Sequence, residues 1–236
     1  MREAKRWLVV AGYAVAMAWV EAAVVYYLRL MINRIEPYQT EPFPKVAGLS
    51  WFELVREAAT LVMLLSVGIL AGRAWRARWG YAALAFGIWD IFYYVFLKVM
   101  TGWPHSLFDW DILFLLPLPW WGPVMAPMLI AALMIFWGTL ASQCGPDDSR
   151  LISEWRAWLV NFFGMGLALY VFMADALRVV SQGEDAVRRM LPDQFGWGLF
   201  GVSLVMMSAP VAQALWRLRR KKSAAFWPGA PELGSE

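Results

Sequence analysis

Six stretches of about 20 residues, each carrying little charge, dominate this chain of 236 residues and leave it few folds to adopt. They run from Trp7 to Met31, Trp51 to Ala71, Trp79 to Met100, Trp120 to Leu140, Trp155 to Val179 and Phe195 to Leu215. A helix rising about 1.5 Å per residue crosses a ~30 Å hydrocarbon core in such a stretch. Tryptophan opens five of the six, as an interfacial aromatic belt requires. Hydrophobic residues make up 61% of the chain and charged residues 17%, a balance outside the soluble range. The expected fold is an all-α, polytopic integral membrane helical bundle of six transmembrane helices.

The connection between the third and fourth spans, residues 101 to 124, departs from this pattern. Its apolar section from Ile112 to Trp121 is too short to cross and is interrupted by Pro117 and Pro119. It is expected to form an interfacial or re-entrant cap. Residues 1–228 read as one membrane domain, and 229–236 as a short, polar, mobile cytoplasmic tail. The first span follows a basic start, yet its run of about 25 apolar residues and the lack of an Ala-x-Ala cleavage site before a polar region point to a retained helix, not a signal peptide.

Six spans place both ends of the chain on one side, and basic residues choose that side. Thirteen Lys and Arg lie at the ends and connections that share the N-terminal side, against seven on the other. The positive-inside rule therefore predicts cytoplasmic N- and C-termini, in a membrane of the bacterial plasma-membrane type.

Besides Glu53, near the interface at the start of the second span, four carboxylates fall inside the spans: Glu21, Glu57, Asp90 and Asp175. A charge at that depth costs a few kcal/mol unless it is neutralised, paired or hydrated, so each is a candidate functional group. Helical rise sets Glu21 ~21 Å and Asp90 ~16 Å from the inner surface, with Glu57 and Asp175 nearer the outer one. All four are expected at one outward-facing cavity roofed by the cap.

Local spacing suggests partners. Tyr93 and Tyr94 follow Asp90 at three and four residues, Arg56 follows Glu53 at three, and Arg178 follows Asp175 at three. Glu21 has no such neighbour on its own helix. The cap adds His105, Asp109, Asp111 and Trp110, while Trp89 adjoins Asp90. Asp90, Glu21, Glu57, Asp175 and His105 form the candidate acid/base set. Tyr93, Tyr94, Trp89, Trp110, Asp109 and Asp111 form the candidate substrate-binding set. The plainer alternative is that the acids join helices by hydrogen bonds, and that Asp109 and Asp111 cap turns beside an exposed His105.

One cysteine and one histidine exclude an internal disulfide and the multi-histidine metal sites, so no metal site is assigned and the cofactor stays open. The basic residues form no stripe, which speaks against nucleic acid. The bilayer is the expected partner, with a lipid-like molecule or a cation as ligand and a homo-oligomer or larger membrane complex as assembly. Three functional classes fit: a membrane-embedded acid/base enzyme acting on a lipid-like substrate, a proton- or cation-coupled transporter or channel, and a non-catalytic accessory subunit.

Overall fold

The computed structural model describes residues 3–40, 49–114, 118–143 and 155–226. The apolar runs form α1 (Glu3–Met31), α2 (Leu49–Ala71), α3 (Trp75–Thr101), α4 (Met125–Gln143) and α5 (Trp155–Val179). A 3-10 turn and the short α6 (Glu184–Arg189) lead to α7 (Trp197–Met207) and α8 (Ala209–Phe226). Five of these helices are each long and apolar enough to cross a membrane, and a sixth crossing is reached only where α7 and α8 count together as one bent span. The chain is an all-α polytopic bundle. The 229–236 tail lies outside the described residues.

Two expected spans are corrected. The sixth is not one rod, because α7 and α8 meet at a 40° bend. Pro210 brings no N–H to the first turn of α8, which breaks the hydrogen-bond ladder there. Asn161 of α5 donates to the Met207 carbonyl at 2.7 Å, supplying a partner where hydrocarbon offers none. The fourth span begins at Met125 instead of Trp120, since Trp121–Pro123 forms a short strand, β2. β2 pairs antiparallel with β1 (Trp110–Ile112), placing Asp111 opposite Gly122. The cap is thus a small ribbon; Pro117 lies outside the described residues.

Helix α3 packs against α1, α2 and α4 and organises the first half of the bundle. Small residues allow the closest approach. A Cβ on Gly87 would lie 2.5 Å from the Ala131 carbonyl oxygen, and one on Gly138 2.5 Å from that of Gly80. In lipid, where apolar burial drives little association, such backbone proximity supplies the packing. The opposite faces stay apolar: only 17% of the most hydrophobic stretch of α2 is buried inside the protein. That surface suits acyl chains and not water.

Connections that a six-span alternation puts on one side do meet. Helix α1 ends in a Schellman motif, with Asn33 left-handed (φ 52°) and the Arg34 N–H bonded to the Arg29 carbonyl at 2.8 Å. The chain then turns over the bundle end, where the Tyr38 hydroxyl donates to the Pro192 carbonyl (3.1 Å) and Tyr38 stacks on Trp110. Phe108 of the cap meets Trp197 edge to face. At the other end Trp7 donates to Thr139 and Tyr81 to Glu3.

Candidate functional site

Beneath the cap lies a cavity of about 990 Å3. Its walls follow from helical periodicity. On α2 the facing residues are Glu53, Arg56, Glu57 and Thr60; on α3 they are Phe86, Trp89, Asp90, Tyr93 and Tyr94. α4 gives Pro127, Ile130, Ala131 and Met134, and α5 gives Met165, Ala168, Leu169 and Phe172. Each set repeats at three, four and seven residues, the signature of a single helix face. α1 adds Glu21, Val25 and Arg29, and Ile112, Trp120 and Trp121 of the cap close the top.

The charges in the wall are arranged in two groups. In the first, Glu21 pairs with Arg56 and accepts a hydrogen bond from the buried Thr60 hydroxyl at 3.1 Å. Arg56 also holds Glu53 at 2.8 Å, and Glu57 lies near both. In the second, Arg29 donates to Asp111 at 3.1 Å and to the Ile35 carbonyl at 3.1 Å. Its guanidinium sits 4.4 Å from the centre of the Trp103 ring. Burial pushes the Asp111 carboxyl above its usual range, against the downward pull of Arg29 and the neighbouring Tyr94 hydroxyl. Both pairs join elements distant in sequence: α1 to α2, and α1 to the cap.

Asp90 differs from all of these. It lines the cavity with the two groups of charges, and its Oδ2 is buried without a hydrogen-bond partner. The indole N–H groups of Trp89 and Trp120, also in the wall, are buried and unpartnered too. Polar atoms are rarely left so in a finished core, where each costs about 1–3 kcal/mol. The remaining lining, along α4 and α5, is apolar. The cavity therefore has a polar end and a greasy end.

The expected convergence of four acids is met by three. Glu21, Glu57 and Asp90 share the cavity, joined by Trp89, Tyr93, Tyr94 and Asp111. Asp175 does not line it; its carboxylate accepts from the exposed Arg178 at 2.7 Å. His105 also stands apart, exposed on the cap, with its Nε2 3.1 Å from Glu36. Asp109 accepts from the backbone N–H groups of His105 (2.6 Å) and Ser106 (3.3 Å), the turn-capping arrangement. Trp110 packs between Tyr38 and Phe195, outside the lining.

Sequence reasoning missed Arg29, Arg56 and Thr60 as cavity residues. A signal existed: Glu53, Arg56, Glu57 and Thr60 are polar residues of an otherwise apolar helix and share one face. Arg29, eight residues after Glu21, lies on the same face of α1. Among the described residues, no three His, Cys, Asp or Glu side chains group as metal ligands. Comparisons with protein-family models, curated proteins and solved structures find no match.

Proposed function

We propose that this integral membrane protein is an enzyme that admits a lipid-like amphiphile to the cavity under its cap and transfers a proton at the ligand's polar end. Asp90 is the proton-transferring group. The observation that carries this reading is its unpartnered Oδ2 in the wall of a chamber whose other end is apolar. A buried carboxyl left without a protein partner is matched to something that enters. Tyr93, on the same helix face one turn away, and the unpartnered indoles of Trp89 and Trp120 orient the polar end. Glu21 and Glu57 with Arg56, and Asp111 with Arg29, are the fixed charges around it. The apolar walls of α4 and α5 receive the hydrocarbon.

Access from the bilayer is assigned to the gap between α2 and α5, which both line the cavity and, among the described residues, do not form a packed pair. Orientation follows the basic-residue asymmetry, with the cap on the outer side of a plasma membrane of bacterial type and the termini in the cytoplasm.

The test uses protein purified in lipid nanodiscs, incubated with a total membrane-lipid extract and followed by mass spectrometry. An amphiphile converted by the wild type, and not converted by Asp90→Asn of equal folded yield, is the expected result. Binding without conversion by the wild type would overturn the enzyme reading in favour of transport or an accessory role. No bound amphiphile would overturn the site itself.

A further inference from the structure

The wall of the cavity carries more acidic than basic side chains. Five carboxyl groups (Glu21, Glu53, Glu57, Asp90 and Asp111) face it with three guanidinium groups (Arg29, Arg34 and Arg56), which at full ionisation leaves two negative charges. The arginines are committed. Arg29 holds Asp111, Arg56 holds Glu21 and Glu53, and Arg34 donates to the carbonyls of Pro37 and Gln39. An anionic head group would have to displace one of these contacts. A cationic one meets Asp90, whose Oδ2 lacks a donor.

Aromatic rings line the same cavity. Trp89 stacks on Tyr93 with centroids 6.1 Å apart, Tyr93 meets Tyr94 edge to face at 5.1 Å, and all three line the cavity with Asp90. Ring faces carry negative quadrupole and attract cations, more strongly once water is removed. A carboxylate acceptor beside aromatic faces is therefore a receptor for positive charge. The empty acceptor also takes a donated hydrogen, which a protonated amine carries and a quaternary ammonium lacks.

We infer that the ligand is an amphiphile with a protonated amine head, its N–H donated to Asp90 Oδ2 and its chain laid along α4 and α5. This rests on the reading of the cavity as an amphiphile site and names the head group that site selects.

The experiment compares four probes of one chain length, dodecylamine, dodecyltrimethylammonium, dodecanol and dodecyl phosphate, by saturable binding to protein nanodiscs over empty discs. Dodecylamine is expected to bind at least about tenfold tighter than dodecanol or dodecyl phosphate, ~1.4 kcal/mol, with the trimethylammonium probe weaker than the amine. Asp90→Asn should erase that preference, bringing dodecylamine to within about twofold of dodecanol. Equal or tighter binding of dodecyl phosphate or dodecanol would overturn the inference while sparing the amphiphile site. Absence of saturable binding by all four would overturn both. Gly166→Trp is the second variant, since Gly166 lines the cavity and a Cβ there meets no atom within 4 Å. It should abolish amine binding by filling the chamber, and undiminished binding would place the amine elsewhere and overturn the inference.

Discussion

Arg29 and Asp111 show how much depends on single residues at this site. Both are buried, and their pairing fastens the cap to the end of α1. Removing one partner leaves a buried charge uncompensated, at a cost of about 3–5 kcal/mol, whereas replacing both with apolar residues is often close to neutral. Arg29→Met and Asp111→Leu should each lower the unfolding midpoint in detergent, and the double variant should recover most of the loss. Additive losses would show that the pair does not act as a unit. Because burial raises the Asp111 pKa, the folded state holds this proton at pH values where the unfolded chain has released it. Stability through this group is therefore full below the ordinary carboxylate range and falls as pH rises through the folded value. The midpoint difference between wild type and Asp111→Asn should carry that slope, and a pH-independent difference would refute it.

At the scale of elements, the α3–α4 seam depends on absent side chains. Gly87 and Gly138 face backbone carbonyl oxygens that cannot retreat without moving a helix. Gly87→Leu or Gly138→Leu should cost at least about 1–3 kcal/mol by overpacking and reduce the monodisperse fraction after detergent extraction. Gly12→Leu is the control, because a Cβ there meets nothing within 4 Å. Equal behaviour of all three would refute the close seam. The existence of the helices was legible in the sequence from apolar run length, whereas tryptophan placement misled at Trp120, which lies ahead of α4 in the cap. The bend between α7 and α8 was not legible: Phe195 to Leu215 reads as a continuous run, and Pro210 becomes decisive only where a neighbouring helix supplies Asn161 to tolerate the break.

For the whole molecule, the orientation in the membrane yields a direct test. The chain has one cysteine, Cys144, which the basic-residue rule assigns to the cytoplasmic side, and one histidine, His105, on the exposed cap. In a Cys144→Ser background, His105→Cys should react with a membrane-impermeant maleimide on intact cells. Labelling only after lysis would invert the molecule. The site then would face the cytoplasm, although its internal geometry would be unchanged.

Sequence alone determined that this chain spans a bilayer as helices, because apolar length against hydrocarbon thickness is a one-dimensional property. It also singled out Asp90, Glu21 and Glu57, since an acid inside an apolar run is conspicuous without any partner in view. Tertiary structure decided which of the marked residues meet. It joined Glu21 to Arg56 and Arg29 to Asp111, and it left Asp175 with Arg178 and His105 with Glu36 outside the chamber. The physical reason is that a helix fixes the relative directions of its own side chains, whereas its rotation against its neighbours is set by packing with residues far along the chain. Glu21 lacks a partner within α1, and only the approach of α2 gives it two.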